Sequence, residues 1–383
     1  MTKAILVGAG IGGLAAATAL SKTDVEVVSF ERARNLATVE LGAGITLWPN
    51  AIMVLDKLGV GQEIRARGAP LHSFEQRTRS GRLLARWPME EMARRIGAPA
   101  IGIARPDVHA VLAQAGGYGV QTGTEVTGFI EREDAVEVTL ADGRAERGDV
   151  LIGADGIEST VRAQLLGATP PRHAGLAIWR ANLPIAPGVP VPDVAFMLFW
   201  GTGKKFVVFH SGPRQLSWEA IVRAERGGSD PPGMSKDVVL TYFKRFADPV
   251  RTLIEATDPN AVFRTDVSDR PPDKHWGRGR VTLLGDAAHA MTFAVGQGAA
   301  QALEDTMALA ARLDHTRDVI APLRAYEEAR MKRSAKFQGL AWRLARAGAW
   351  KAPPAAILRN IVLATSSPMV WRAQCKDMTL PEY

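Results

Sequence analysis

The residues that could do chemistry fall into two glycine-rich clusters, one near each end of the chain. The first is Gly8-x-Gly10-x-x-Gly13, with Ile11 and Gly12 inside it, between the apolar run "AILV" and an Ala-rich stretch. In a strand–turn–helix, the first glycine permits the tight turn and the second lets a pyrophosphate approach the backbone. The third lets helix and strand pack closely. First-turn N–H groups and the helix dipole then favour the phosphate charge. Glu31 ends the next strand pattern, "VEVVSFE", and Arg32 beside it joins the same candidate site. An acid there accepts hydrogen bonds from both ribose hydroxyls of an adenosine and repels a 2′-phosphate. The pattern predicts a dinucleotide site of FAD or NAD type rather than NADP type.

The second cluster is "GDAAHAMTFAVGQGAAQALED", residues 285–305. Gly285, Asp286 and Ala287 follow the apolar strand pattern "VTLL". Asp286 therefore lies at a strand's carboxyl end, where doubly wound sheets bind ligands. A buried carboxylate needs partners, and a polyol chain supplies hydroxyl donors. Gly296, Gln297 and Gly298 lead into a helix whose N-terminal dipole stabilises negative charge on a bound ring. His289 has no partner acid or nucleophile evident in its spacing. It is read as a structural histidine bonded to backbone, not a base.

Strands and helices must hold these clusters. "NAIMVLDKLGV" (50–60) and "RPDVHAVLAQAG" (105–116) have helical spacing, the latter with Pro106 in its first turn. Residues 119–153 alternate and read as three strands with a hairpin at Asp142-Gly143. From about 172 to 265 the strands are aromatic-rich, and after "GRVTLLGDAAHA" the chain is mostly helical. Segments of αβ character thus flank an antiparallel block. The expected class is α/β: a Rossmann-type dinucleotide-binding domain over 1–75, 100–171 and 266–345, with an inserted, mostly antiparallel β-sheet substrate domain over 76–99 and 172–265. A helical extension covers 346–383. Pro353-Pro354 interrupts it, and it is expected to pack across the dinucleotide-binding domain or onto a second subunit rather than lie on a membrane.

Composition narrows the class. At 383 residues two lobes are expected. Cys375 is the only cysteine, which excludes a disulfide framework and a Cys-based metal site and suits a reducing cytoplasm. The net charge is +7, with Lys and Arg read as scattered rather than gathered in a block. That favours a cleft for an anionic cofactor over nucleic acid. Glycines break the apolar N-terminal run, and no window reaches the ~20 clean apolar residues of a membrane span. A soluble, cytoplasmic protein is expected.

Four motifs occur in order: G-A-G-I-G-G (8–13), Arg105 opening a helix, G-A-D-G-I-E-S-T-V-R (153–162), and G-D-A-A-H (285–289) with G-Q-G (296–298). On these the chain resembles the single-component FAD-dependent aromatic hydroxylases, related to salicylate, para-hydroxybenzoate and urate hydroxylases. The resemblance implies FAD as cofactor and NADH or NADPH as transient co-substrate. Asp155 and Gly156 would serve FAD and the nicotinamide, and Arg105 the pyrophosphate or ribityl part. Asp286 would bind the ribityl chain or ribose. The 296–298 loop would border the isoalloxazine ring, near Gly44. It further implies O₂ activation as a flavin C4a-hydroperoxide and hydroxylation of an aromatic or heteroaromatic small molecule, with no protein nucleophile or metal. An epoxidase or hydroxylase of a larger natural product, and a non-catalytic FAD-binding sensor, are the alternatives. A monomer or homodimer suffices for any of these.

The substrate pocket is expected between flavin and aromatic sheet. Its candidates are Leu47, Trp48, Trp179, Phe196, Leu198, Trp200, Phe209, His210, Trp218 and Phe293. Ala290 and Phe293 stand where many members of the family carry proline, which favours a larger or flatter apolar substrate. In a stretch that resembles the urate-type members, Lys204 and Lys205 could pair with an anionic substrate, but they are read instead as a solvated turn at Gly203.

Overall fold

The computed structural model describes residues 1–383 except 40–41, 118 and 316–317. Its central feature is a six-stranded sheet. The order is Gly277–Arg278, Val281–Leu283, Val150–Gly153, Thr2–Val7, Val25–Glu31, Val120–Thr122, parallel except for the first pair. Its inner strands are continuous apolar runs because helices cover the sheet; all four residues of Val150–Gly153 are buried. The order reverses between Thr2–Val7 and Val150–Gly153, so a crevice forms beyond their carboxyl ends.

The helices Ile11–Leu20 and Gly298–Leu313 pack against each other. The Ala-rich sequences of both permit that close approach. The helix Arg105–Gly116 starts at Arg105 with Pro106 in its first turn, as its sequence predicts. Residues 119–153 differ from the three-strand reading, because they form five short strands. Val126–Glu131, Val136–Leu140 and Ala145–Gly148 make an antiparallel sheet turning at Asp142-Gly143. Val120–Thr122 and Val150–Gly153 belong instead to the parallel sheet. Alternation alone does not show which strands leave for another sheet.

The aromatic-rich region forms a seven-stranded sheet. Its order is Phe263–Asp269, Arg172–Pro184, Gln215–Arg223, Lys204–Gly212, Phe196–Trp200, Phe74–Thr78, Leu83–Trp87. All pairs are antiparallel except Phe196–Trp200 with Phe74–Thr78. One face packs Trp179, Phe199, Phe206 and Trp218 against the helices Ser235–Phe243 and Val250–Ala256. The C-terminal helix Pro353–Asp377 lies against the edge strand Leu83–Trp87 and the helix Met89–Ile96. Trp87 Nε1 donates to Ser367 Oγ (3.1 Å) and Arg359 Nη2 to the Gly201 carbonyl (3.1 Å). The helix therefore covers the inserted sheet and does not cross the parallel-sheet domain. Its last residue and the tail beyond it reach back, with Asp377 pairing with Lys336 and Tyr383 Oη donating to Glu304 (3.0 Å).

Beneath the second glycine cluster lies a fully buried ion cluster. Arg330, on the helix Ile320–Gly348, donates from Nε to Asp305 (2.7 Å) and from Nη1 to Glu304 (2.6 Å), and all three side chains are 0% exposed. Burial opposes each charge, but Arg330 holds the Glu304 carboxyl, and His289 together with Arg330 the Asp305 carboxyl, below the usual range, and the two acids raise the guanidinium in return. Removing one partner leaves buried charge uncompensated. Arg330→Met is expected to cost about 3–5 kcal/mol of stability in denaturant unfolding of the FAD-free protein. Arg67→Ala, which breaks an exposed pair with Glu63, is expected to cost less than about 1 kcal/mol.

Candidate active site

Two helix N-termini converge on the crevice. The helix Ile11–Leu20 begins at Gly10 and the helix Gly298–Leu313 at Gln297, neither with a side-chain cap. Their first-turn N–H groups therefore offer donors and partial positive charge to a ligand. The turn before the first helix is tightly built. Gly8 has φ of +100°, and a Cβ on Gly13 would lie 2.0 Å from the Gly8 carbonyl oxygen. The Ala9 peptide is clamped from both sides. Its N–H donates to Glu31 Oε2 (2.8 Å), and its carbonyl meets His109 Nε2 (2.8 Å).

Glu31 is thus buried and also accepts from the Ala33 N–H through Oε1 (2.8 Å). It shapes the turn directly, and its remaining lone pairs are the ones left for a ribose. Arg32 is exposed at the strand's end. The sequence reading missed His109, whose position in the second turn of a helix gave no sign that it reaches the glycine loop.

A cavity of about 800 Å³ runs from these loops to the seven-stranded sheet. Gly10, Ile11, Gly12, Gly44, Arg105, Gly156, Gly285, Asp286, Gly296 and Gly298 line it. The others of the cofactor set stand behind that wall. Gly8 and Gly13 form the turn itself. Asp155 accepts from the Thr160 and Val161 N–H groups (2.8 and 3.2 Å) and so caps the helix Thr160–Leu166; burial raises its carboxyl. The Ala287 carbonyl accepts from Arg162 (3.1 Å). The Gln297 side chain turns inward to Asn50 and Gln301. Asp286 is exposed toward the cavity, at the first position of the short helix Asp286–His289.

His289 lies beneath the second glycine cluster, and its partner is an acid rather than the backbone that its sequence context suggested. Nε2 meets Asp305 Oδ2 at 2.5 Å, and both side chains are fully buried. Asp305 Oδ2 also accepts the Gly285 N–H (3.0 Å). Asn50 Nδ2 bridges Glu304 (2.7 Å) and Gln297 (3.0 Å). The ion cluster therefore anchors both glycine loops of the second motif. The signal was present as the adjacent acids ending "ALED", but the sequence did not show that Arg330 faces them.

Strand alternation sorts the aromatic candidates. Phe196, Leu198, Trp200, Phe209 and Phe293 line the cavity, with Trp48 from the segment after Gly44. Phe209, Phe196, Phe74 and Trp87 are successive cross-strand neighbours with ring centroids 5.6, 4.7 and 4.5 Å apart. They form one stacked apolar row. Four candidates face elsewhere. Trp179 and Trp218 sit on the opposite face, their indole N–H groups bound to Asp230 (2.6 Å) and Thr257 (2.9 Å). His210 bonds the Pro192 carbonyl (3.1 Å), and Leu47 belongs to the parallel-sheet core. Each is an even–odd neighbour of a residue that does face the cavity, which an aromatic-rich sequence does not reveal.

The largest departure from expectation is Lys205. It does not lie in a solvated turn. The strand Lys204–Gly212 begins there, and Lys205 is 4% exposed on the cavity wall, opposite Trp200 in register. Its Nζ lies 4.7 Å from the Phe293 ring centroid and 5.5 Å from that of Trp200. Burial pulls its ammonium down to about 8. Glu219 is the acid that favours its charge, and that carboxylate already accepts from Arg180 Nε (3.2 Å).

The residues fit FAD on the structure's own terms. Two uncapped helix starts face one crevice, Asp286 points into it, and two buried polar atoms on its wall, Trp48 Nε1 and Thr292 Oγ1, have no partner among the described residues. Comparison with known proteins agrees. Residues 1–338 match the FAD_binding_3 family, FAD binding domain. The chain is 36% identical over 348 residues to aurachin C monooxygenase/isomerase of Stigmatella aurantiaca, covering 91% of this chain and 90% of that one. It is 34% identical over 334 residues to the FAD-dependent urate hydroxylase of Klebsiella pneumoniae, covering 86% of each. The crystal structure of Klebsiella pneumoniae HpxO with FAD and uric acid superposes with a TM-score of 0.92 at 30% identity, over 98% of this chain and 96% of that one. A salicylate hydroxylase substrate complex shares the fold, with a TM-score of 0.79 at 24% identity over 100% and 98%. The chain belongs to this FAD-binding family, as a group A flavoprotein monooxygenase with the aromatic-hydroxylase fold.

Proposed function

We propose that this protein hydroxylates an aromatic or heteroaromatic small molecule that carries an ionised or acidic group. The observation that carries the substrate class is Lys205, a buried cation on the wall of the same cavity that the aromatic row lines. A buried charge is costly unless a partner meets it, and the protein's own nearby acid is already bound to Arg180. An anionic ring supplies the missing partner, and its charge makes the ring more electron-rich. The relatives named for urate hydroxylation and solved with uric acid are consistent with this reading.

FAD held here would supply hydride acceptance from NADH or NADPH and activation of O₂, with one oxygen atom going to the ring and the other to water. The chain's residues make that productive. Gly10, Ile11 and Gly12 receive the pyrophosphate at the first helix start, Arg105 adds positive charge, and Asp286 accepts from the sugar-chain hydroxyls. The start of the helix Gly298–Leu313 stabilises negative charge on the ring system. Trp48, Trp200 and Phe293 exclude water, and the row from Phe209 to Trp87 stacks the substrate's flat face. Phe293, standing where relatives often have proline, gives the Lys205 ammonium an aromatic face to rest on. The substitution thus helps keep a buried lysine charged.

The division into parts follows the same logic. We assign the parallel sheet and its helices to FAD, the seven-stranded sheet to substrate, and the cavity between them to the reaction.

Two outcomes test these assignments. Asp286→Ala is expected to weaken FAD binding by about 10–100-fold, the loss of a hydrogen bond to a charged group, in flavin-fluorescence titration of apoprotein. For a substrate anionic throughout the range, KM is expected to rise about tenfold per pH unit above the Lys205 value of about 8. The lysine holds the anion only while protonated, so the loss comes on raising the pH, not on lowering it. Lys205→Met flattens this profile and raises KM at neutral pH while FAD affinity stays unchanged. An unaltered pH profile in that variant removes Lys205 from the substrate site.

A further inference from the structure

The cations of this chain are not scattered. Residues 329–376 hold ten Lys and Arg and not one Asp or Glu. The rest of the chain has 37 against 40, so the positive charge of the whole molecule resides in this segment. Arg330 and Arg333 are bound by Glu304, Lys336 by Asp377, and Arg359 is buried. Lys332, Arg343, Arg346, Lys351, Arg372 and Lys376 are exposed.

The helix Pro353–Asp377 within this segment carries an apolar face that none of the described residues covers. Ile357, Leu358, Ile361, Val362 and Met369 are 61, 59, 54, 51 and 70% exposed. At about 3.6 residues per turn they fall on one side of the helix. Arg372 and Lys376 continue the same side toward its C-terminus. Trp350, 44% exposed, and Lys351 stand just before its start. A contiguous apolar stripe flanked by cations and an indole is the composition of a helix that lies in a lipid interface. Among the described residues no helix is long and apolar enough to cross a membrane, so the contact is a surface one.

This face also adjoins the site. Val362 and Val370 are half-exposed and line the cavity, together with Leu363, Ser366 and Gln374 from the same helix. The rim of the cavity and the edge of the apolar stripe are therefore the same residues. We propose that the helix Pro353–Asp377 docks the protein on an anionic lipid surface and sets the cavity rim against it. The occupant follows from charge. A second copy would bring the same acid-free cationic face against this one, whereas anionic lipid complements it at about 1 kcal/mol per Lys or Arg near the surface. An amphiphilic aromatic substrate, its acidic group at the lipid surface and its ring in the acyl layer, then has a direct way in. That last step rests on the hydroxylase reading, while the docking does not.

The test is co-sedimentation of the FAD-loaded protein with vesicles of phosphatidylcholine alone, or with a one-third share of phosphatidylglycerol. Affinity for the anionic vesicles is expected to be at least about tenfold higher at low salt. It should collapse near 1 M salt, where the Debye length is ~3 Å. The double variant Leu358→Asp, Ile361→Asp is expected to stop sedimentation while keeping FAD and NAD(P)H oxidation with a soluble substrate. The pair Arg372→Gln, Lys376→Gln should reduce the preference for phosphatidylglycerol severalfold. Absence of vesicle binding overturns the proposal, as does equal binding by wild type and the Asp variant. A solution dimer that the Asp variant splits would assign the face to a second copy instead. Hydroxylation measured without vesicles stands or falls separately.

Discussion

The interaction on which this site depends is the buried cluster of Arg330 with Glu304 and Asp305. A buried ion triad is weak evidence for stability in itself, since desolvation offsets most of the attraction. Its consequence here is geometric. Asp305 takes the Gly285 N–H and His289, and Glu304 takes Asn50, which in turn holds Gln297. Both loops that face the cavity in the second half of the chain are therefore fixed by adjacent residues about two turns into a single helix. The two carboxylates are held there by one guanidinium whose fork reaches both. A lysine would offer one point charge where two directions are needed.

The first glycine loop is fixed differently, by neutralising backbone rather than by ions. Glu31 and His109 take the N–H and carbonyl of the Ala9 peptide, so the turn is held from two other elements before any phosphate arrives. Preorganisation of this kind lets a ligand meet donors that need no further ordering. It also explains why so short a Gly-rich turn keeps its shape between a strand and an Ala-rich helix. The two halves of the crevice thus reach the same end, a rigid helix start, by separate means.

The cofactor side of the fold was legible because its signals are local. A Gly-rich turn after an apolar run, an acid ending the next strand and Pro106 in a first helical turn each speak within a few residues. The C-terminal helix and the cavity wall were less legible, because their meaning depends on partners far along the chain. His289 looked unpartnered since Asp305 is 16 residues away, across a loop whose course the sequence does not state. Trp179 and Trp218 looked like pocket residues since hydropathy does not distinguish the two faces of a sheet that is buried on both. Lys205 looked like a turn residue because Gly203 precedes it. Only the pairing of Trp200 with Lys205 shows that the strand has already begun.

Lys205 also shows how the two lobes share one chemical problem. The inserted sheet supplies a cation and stacked rings, while the parallel-sheet side supplies helix starts and Phe293, on whose face that cation rests. Neither lobe alone stabilises a buried ammonium. On the sheet it has only Trp200 beside it and an acid committed to Arg180. Its charge at neutral pH is consistent with a ring from the opposite wall and, in the functional reading, an anion between them. On the proposed reading, charge selection belongs to the cavity wall that both sheets share, since a flat neutral ring could use the aromatic row but leaves the lysine desolvated without compensation. Phe293, one of the two residues standing where many relatives carry proline, is on this argument the one that makes the lysine tolerable.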